Sequence, residues 1–199
     1  MHSFYRYFFT FKLGRIITAA AGASIALILG SQIAVASNQN LAAQYVSSCM
    51  LQNCSFETTT GSPAVPTDWH LSGFNSTSGG VDTSQHIDGA QSMWFANTGK
   101  LRKVYQDVVT SGPAGTHFTL TLWTKSNQAQ VRGLYRVFAT LYYKGGSSTF
   151  YVNQPYGTND WDQYRLTFTA KKDYNKIHVE IDFSKKGEAW FDGFGLTTP

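Results

Sequence analysis

Apolar and polar side chains alternate at every second position through residues 161–196. A period of two places successive side chains on opposite sides of a β-strand, so each alternating run indicates a strand with one buried face. Three such strands fit here, separated by polar turns at residues 171–175 and 184–187. We expect their inward sides to carry Tyr164, Leu166, Phe168, Ile177, Val179, Ile181 and Phe183.

Similar short runs recur through the rest of the chain. They lie at residues 68–71, 92–96, 104–109, 118–125, 133–144 and 149–153, with turns or loops at 58–67, 73–89, 111–115, 145–148 and 156–160. In the run at 133–144, either alternating set can face inward. No segment of ten or more residues has the period of an amphipathic helix. Nine or ten short strands predict an all-β fold, a jelly-roll β-sandwich of two antiparallel sheets.

The N-terminal 36 residues have the composition of an export signal. Arg6, Lys12 and Arg15 precede an uncharged apolar run, and Ala-Val-Ala at 34–36 is a small-residue cleavage pattern. The sequence therefore predicts a signal peptide at 1–36, a polar linker at 37–48, one domain at 49–199, and a secreted or extracytoplasmic location. The alternative is an uncleaved segment that anchors the chain in a membrane.

The positive charge of the chain belongs mainly to that signal. Three of the 16 Lys and Arg residues and none of the 12 Asp and Glu residues lie within 1–36, which leaves 13 basic and 12 acidic side chains. So balanced a domain gives no electrostatic reason to expect nucleic acid as a partner. We expect a monomer.

Cys49 and Cys54 are the two cysteines of the chain. In an exported protein, this spacing predicts a small disulfide loop, with two independent thiols as the alternative. Two cysteines without a histidine at ligand spacing are too few for a zinc site.

Several short motifs occur in an order that resembles a known family. They are Asn-x-Ser-Phe-Glu at 53–57, Pro-x-x-Trp at 66–69, Asp-Gly at 88–89 with Ser92, Val-Tyr-Gln-Asp-Val at 104–108, Phe-Thr-Leu-Thr-Leu-Trp-Thr-Lys at 118–125, Trp161 before Tyr-Arg-Leu-Thr-Phe-Thr-Ala, and Phe191-Asp192. This order resembles the CenC-like carbohydrate-binding modules of bacterial cellulases and xylanases, which are galactose-binding-like jelly rolls. The resemblance covers about residues 50–196.

The resemblance implies a module that binds a glycan without catalysis. Many members hold a structural calcium ion where the first and last strands meet, and Glu57 and Asp192 occupy the corresponding positions. The alternative is that these two carboxylates cap turns without a metal. The chain departs from the family in having Cys54 where Gly or Pro is usual, and we expect the module to stand alone, whereas such modules normally flank a catalytic domain.

Sugar rings stack on aromatic side chains, and their hydroxyls need polar partners. Aromatic residues on the polar sides of strands are therefore the candidate glycan contacts, with polar residues beside them. The candidates are Trp123, Trp94, Tyr105 and Tyr142, with Arg165, Gln163, His178 and Glu180 as hydrogen-bonding neighbours. Since two sheets have two outer faces, these eight cannot form one site, and Trp123 is the best single candidate. The alternative is that the aromatic residues only cover the sheets.

Two other functions stay open. One is a cell-surface structural or adhesion module that binds protein or an envelope polymer. The other is a small glycan-active hydrolase that uses Glu180 and Asp182, which lie two positions apart beside His178. An outward row of charges is, however, the ordinary solvated side of a strand, and no nucleophile–base motif is present. The sequence therefore predicts a protein that is not an enzyme, and Asp160 and Asp162 are interpreted as turn residues.

Overall fold

The structure is a computed structural model that describes residues 49–75, 77–96 and 99–199. The predicted signal peptide and linker lie outside this part of the chain. The described residues form twelve strands: β1 (Thr59–Thr60), β2 (Val65–Pro66), β3 (His70–Ser72), β4 (Gly79–Asp82), β5 (Ser92–Phe95), β6 (Arg102–Val108), β7 (His117–Ala129), β8 (Tyr135–Tyr143), β9 (Gly146–Asn153), β10 (Gly157–Thr169), β11 (Lys176–Phe183) and β12 (Glu188–Thr197). Among the described residues, no helix is long and apolar enough to cross a membrane.

Ten of the strands form two antiparallel sheets of five. The first sheet has the order β10-β7-β12-β5-β4, and the second has the order β3-β6-β11-β8-β9. The short strands β1 and β2 pair only with each other. This arrangement confirms the predicted all-β sandwich of two antiparallel sheets.

The core lies between the sheets and contains five of the seven inward side chains named from the alternation, while Tyr164 and Leu166 are only partly buried and pack against it. Ile177, Val179, Ile181 and Phe183 of β11 are all fully buried. The structure also decides between the two sets in β8, because Val137, Ala139 and Leu141 are buried while Tyr142 is exposed. Each fully buried side chain of Val, Leu, Ile or Phe contributes about 2 kcal/mol relative to exposure.

The segment before β1 is fastened to the last strand. The predicted disulfide between Cys49 and Cys54 is present. The backbone N–H of Met50 donates to Leu196, and that of Phe194 donates to Cys54, so the disulfide loop lies along β12. This segment therefore closes one side of the sandwich against the C-terminal strand.

The side chains of the Asn-x-Ser-Phe-Glu run explain why this segment folds as it does. Asn53 donates through Nδ2 to the carbonyls of Thr58 and Thr67, at 2.8 and 3.0 Å, and so fixes the turn into β1. Phe56 is fully buried and packs on Trp69, with 5.0 Å between the ring centroids. The indole N–H of Trp69 then donates to the carbonyl of Asn53. The Pro-x-x-Trp run thus supplies the partner of the first motif.

Three boundaries differ from the sequence predictions. Strand β4 lies inside the predicted loop at 73–89, because Gly79 and Gly80 pair with β5 through backbone groups and leave no alternating side chains to detect. Strand β10 starts at Gly157, within the predicted loop at 156–160. Register shifts between Gly157 and Asp162 break the period of two there, so Asp160 and Asp162 are strand residues and not turn residues. The loop at 58–67 contains the pair β1 and β2.

Candidate functional site

The eight predicted ligand contacts divide into two groups of four on opposite sides of the sandwich. The first group lies on the outer face of the second sheet, and the second group lies on the outer face of the first sheet. The first group is Tyr105, Tyr142, His178 and Glu180; the second is Trp94, Trp123, Gln163 and Arg165. A single site can therefore hold at most one of the groups, as the sequence predicts.

On the second sheet, four rings form a diagonal row across β3, β6, β11 and β8. The ring centroids of His70 and Tyr105 are 5.2 Å apart, those of Tyr105 and His178 are 5.2 Å apart, and those of His178 and Tyr142 are 6.5 Å apart. The first two pairs lie at 26° and 36°, so these rings largely face each other. We call these four residues the ring row.

Beside the ring row lies a group of charged side chains from three strands, which we call the charge network. It consists of Lys103 and Asp107 on β6, Arg136 on β8, and Lys176, His178, Glu180 and Asp182 on β11. Lys103 contacts Glu180 at 2.8 Å, and Arg136 contacts Asp182 at 3.2 Å. Opposite charges therefore face each other throughout the network.

His178 joins the charge network to the ring row. Its Nδ1 lies 2.6 Å from Asp107, and its Nε2 lies 3.3 Å from Glu180. The hydrogen bond that His178 donates to Glu180 raises the pKa of His178 against the opposing effect of burial, and Asp107 raises it further. A charged imidazole with two carboxylate partners is held in one orientation, and this fixes the middle of the ring row.

The two neighbouring carboxyl groups on β11 have opposite pKa shifts. Burial alone would raise the pKa of Glu180, but hydrogen bonds from His178 and Lys103 lower it to about 2. Burial raises the pKa of Asp182, and the nearby charge of Glu180 adds to this against the opposing charge of Lys103. Glu180 therefore carries the negative charge of the pair more readily than Asp182.

The expectation of a solvated row of charges on β11 is wrong. Glu180 and Asp182 are only 8% and 2% exposed, although both point away from the core. The side chains of Lys103 and Arg136 reach across from the neighbouring strands and cover them. The pairing register of β6 and β8 against β11 creates this cover, and alternation within β11 carries no information about it.

Sequence reasoning missed several residues of this face. Phe138 pairs with Glu180 across the sheet and lies under the guanidinium of Arg136, at 4.7 Å from the ring centroid. Tyr151 lies opposite Phe138 on the edge strand β9 and is 56% exposed. The alternation of β8, which puts Phe138 on the same side as Tyr142, was the available signal. Because Lys176 covers the ring of Tyr142 at 4.3 Å, Tyr151 offers the more open aromatic surface.

The outer face of the first sheet has a different character. Trp123 pairs with Gln163 on one side and Asp192 on the other, and Gln163 and Arg165 are exposed beside it. Trp94 lines a cleft of about 430 Å³ at the β4 edge. Its indole Nε1 is buried without a hydrogen-bond partner among the described residues. These four residues thus flank a half-buried surface and do not converge on one point.

Glu57 and Asp192 both accept hydrogen bonds from the backbone of the loop before β5, on the two sides of Gly89. Asp192 is fully buried and accepts the backbone N–H groups of Ile87 and Asp88 at 2.9 and 3.0 Å. Glu57 accepts the backbone N–H groups of Ala90 and Gln91. Burial raises the pKa of Asp192, and the hydrogen bonds from the backbone N–H groups of Asp88, Ile87 and Gly193 act in the opposite direction.

Gly89 sits at the centre of this arrangement. Its φ of +71° favours glycine, and a Cβ there would overlap the carboxylate of Glu57. Gly89 of the Asp-Gly motif at 88–89 therefore allows the loop to approach the carboxylate of Glu57.

The fit of this arrangement to calcium is incomplete. Ca²⁺ takes six to eight oxygen ligands. Within the described residues, no group of three or more Asp, Glu, His or Cys side chains is placed to hold a metal. Glu57 and Asp192 each direct their oxygens at backbone N–H donors, as expected if these carboxylates cap turns without a metal. The calcium site stays a prediction.

No protein-family model matches the chain, and no curated protein matches it either. Solved structures match it in fold. A CBM61 module in complex with β-1,4-galactotriose is 20% identical with a TM-score of 0.50, over 76% of this chain and 99% of that one. A family 16 carbohydrate-binding module is 15% identical with a TM-score of 0.52, over 74% of this chain and 99% of that one.

The enzymatically active domain of tailspike protein 4 from bacteriophage CBA120 is also similar. It is 15% identical with a TM-score of 0.57, over 76% of this chain but only 21% of that one. The structural relatives are mainly carbohydrate-binding modules, and they confirm the galactose-binding-like jelly roll expected from the motif order. At these identities the likeness concerns the fold.

Proposed function

We propose that this protein is a non-catalytic glycan-binding module, and that it binds its ligand across the outer face of the second sheet. The observation that carries the proposal is the ring row with its charge network, which brings Tyr105, Tyr142, His178 and Glu180 onto one surface. The residues around Trp123 on the outer face of the first sheet form a second candidate surface.

Three properties of this surface suit a glycan. Tyr151 and the edges of the ring row supply apolar contact, and the hydroxyls of Tyr105 and Tyr142 supply polar partners. The partly exposed members of the charge network include the carboxylate of Asp107 and the cations of Lys103, Arg136 and Lys176, which can accept from and donate to sugar hydroxyls. A neutral ligand with many hydroxyls matches a surface on which opposite charges already balance each other.

The structural relatives support the same class of ligand. The CBM61 module was solved with β-1,4-galactotriose, and the family 16 module is a carbohydrate-binding module by name. Both align over nearly their whole length with this chain, so the part that matches is the binding module itself. This likeness supports binding of a saccharide, and the choice of sugar is left to experiment.

Isothermal titration with a panel of oligosaccharides that includes β-1,4-galactotriose tests the proposal. We expect saturable binding that falls at least about tenfold in Tyr151→Ala and in Tyr105→Ala, the loss expected when one ring contact of about 1.4 kcal/mol is removed. Circular dichroism and the melting temperature establish that each variant is folded.

The matched comparison is Trp123→Ala, which removes an aromatic ring from the outer face of the first sheet. Unchanged affinity in Trp123→Ala together with loss in the second-sheet variants supports the proposed face. The opposite pattern would move the site to the first sheet. If no saccharide binds and an envelope protein is captured instead, the protein is an adhesion module.

A hydrolase is the second candidate, because the pKa values of Glu180 and Asp182 are pushed apart as in acid–base pairs. The geometry favours binding alone. Asp182 is 2% exposed and lies behind Arg136 and Lys103, so a substrate does not reach it in this arrangement. Release of reducing sugar that is lost in Glu180→Gln would establish the hydrolase instead.

We further propose that calcium stabilises the loop held by Glu57 and Asp192. These two carboxylates come from opposite ends of the domain and meet the same loop, so a cation there would tie the ends together. The melting temperature of protein loaded with calcium, with and without a chelator, tests this. An unchanged melting temperature in protein shown to contain the metal refutes a structural role.

A further inference from the structure

The connections at one end of the sandwich contain basic residues and no carboxylate. Strands β3, β9 and β11 end there, where β6 and β8 begin, and we call it the loop end. Its connections are residues 73–78, 96–101, 130–134, 154–156 and 184–187. None of them contains Asp or Glu, and the basic residues in or beside them include Arg102, Arg132, Lys185 and Lys186. The connections therefore offer this group of cations no acidic partner of their own.

Arg102 is the most buried of these cations. It is the first residue of β6, and its side chain lies on the core-facing side of the strand together with that of Val104. It is 5% exposed, and Phe183, opposite it on β11, is fully buried. A guanidinium keeps its charge at physiological pH, so it does not escape burial by losing a proton. A charge in this position needs a partner of opposite sign.

The part of the chain that the structure describes does not supply such a partner for Arg102. Its hydrogen bond there is a long one, from Nη1 to the carbonyl of Leu101 at 3.4 Å. Its Nε is buried and has no hydrogen-bond partner among the described residues. Arg136, by contrast, contacts the carboxylate of Asp182 at 3.2 Å. The same sheet thus pairs an outward arginine with an acid and leaves its inward arginine without one.

Gly73 leaves one side of the Arg102 guanidinium uncovered. A Cβ at Gly73 would lie 2.7 Å from the carbonyl oxygen of Leu101 and 3.5 Å from Nη1 of Arg102. The φ of Gly73, +79°, also favours glycine. Gly73 and Leu101 are both exposed, so the guanidinium lies just beneath the surface at this point. A ligand that approaches past Gly73 therefore meets no side chain from that residue.

Lys185 is a second buried cation at the loop end. It is 6% exposed, and its Nζ donates to the carbonyl of Val131 at 2.9 Å. No carboxylate among the described residues pairs with it. Burial lowers the pKa of Lys185, and a nearby anion would act in the opposite direction. The loop end therefore holds two buried cations whose charges are not balanced within the described chain.

We propose that Arg102 binds an oxyanion at the loop end, and that a carboxylate, sulfate or phosphate group supplies the missing negative charge. Each of these groups can accept two parallel hydrogen bonds from the planar fork of a guanidinium. A neutral sugar or an apolar molecule would leave the charge of Arg102 unbalanced. The ring row lies on the outer face of the second sheet, whereas Arg102 faces the core, so this site does not depend on glycan binding at the ring row.

An NMR titration that follows the Nε–H resonance of Arg102 in the intact protein tests the proposal. The probes are inorganic phosphate, sulfate and galacturonate, each compared with chloride at equal ionic strength, and galactose is the neutral counterpart of galacturonate. We expect saturable shifts with at least one of the three anions and none with galactose. Shifts with galacturonate assign the ligand to the carboxylates, which acidic sugars carry. Shifts with phosphate or sulfate alone assign it to the tetrahedral anions.

Arg102→Lys keeps the charge and removes the planar fork. We expect it to bind the same anion about tenfold more weakly, as measured by the backbone amide shifts of residues 71–74 and 101–104. Arg102→Met removes the charge as well. We expect the melting temperature of the wild type to rise saturably with the anion that gives the shifts, and this rise to be lost in Arg102→Met.

Arg132→Met is the matched control, because Arg132 is exposed in another connection of the same end. General salt effects on stability act on both methionine variants, so we expect the saturable rise to persist in Arg132→Met. The proposal is refuted if none of the anions shifts the Arg102 resonance, or if the two methionine variants respond alike. If Arg102→Met does not fold, the wild-type resonance and the affinity of Arg102→Lys still decide, and an affinity equal to that of the wild type refutes the role of the guanidinium fork.

Discussion

Replacing Glu180 by Gln tests whether the charge network stabilises the fold. In the folded protein the pKa of Glu180 falls from 4.5 to about 2. At about 1.4 kcal/mol for each tenfold change in the acid constant, this is worth about 3 kcal/mol. Part of that gain is returned, because the charge of Glu180 raises the pKa of Asp182. We therefore expect Glu180→Gln to lower the free energy of unfolding by about 2 kcal/mol at pH 7.

The dependence on pH separates charge from packing. A carboxylate whose pKa is lower in the folded protein stabilises the fold above its unfolded pKa, and that contribution disappears as the pH falls through the folded value. The difference between wild type and Glu180→Gln should thus be largest above about pH 5 and close to zero near pH 2. Urea unfolding followed by tryptophan fluorescence measures it.

Glu188→Gln is the matched control for this experiment. Glu188 is less buried, and its contact is a hydrogen bond from Asn127 that a glutamine oxygen can also accept. We expect a change within about 0.5 kcal/mol at each pH. A destabilisation by Glu180→Gln that stays constant from pH 7 to pH 2 would refute the electrostatic reasoning, because it would have to come from altered packing.

Two further predictions concern His178 and the disulfide. Because the pKa of His178 is raised, its charge stabilises the fold below about pH 6.5, and this is lost as the pH rises through the folded value. His178→Gln should therefore destabilise the protein more at pH 5.5 than at pH 9 in the same urea assay, and the reverse order would refute the assignment. The double variant Cys49→Ser and Cys54→Ser should lower stability by about 2 kcal/mol, as expected for closing so short a loop, and intact mass before and after reduction checks that the bond is present.

The sequence predicts the strands of the sandwich well where one face of the strand is buried. The apolar alternation runs through all of β11 and through residues 118–122 of β7, so Ile177 and Leu122 could be placed in the core from sequence alone. The β4 strand escapes this reasoning because Gly79 and Gly80 contribute backbone hydrogen bonds and no side chains. Alternation in the sequence shows which side of a strand a residue points to. It gives no signal where glycines form the strand and only backbone groups are paired.

The candidate site shows the other limit of sequence reasoning. Tyr105 and His178 were assigned to the polar side of their strands, and both lie there. What the sequence does not contain is the register of β6 and β8 on β11, which brings Lys103 and Arg136 over the two carboxylates. The burial of Glu180 and Asp182, and with it their pKa shifts, arises from pairing between residues more than 40 positions apart.

The charge network and the ring row depend on each other through His178. Both of its ring nitrogens face carboxylates, Asp107 at 2.6 Å and Glu180 at 3.3 Å, and both can donate only while the imidazole is charged. When the pH rises through its pKa, one nitrogen loses its proton and one of the two bonds is broken. The ring then loses half of the restraint that holds it between Tyr105 and Tyr142. Glycan binding on this face should therefore weaken at the same pH at which the stabilisation by His178 is lost, which ties the function of the surface to the ion pairs beneath it.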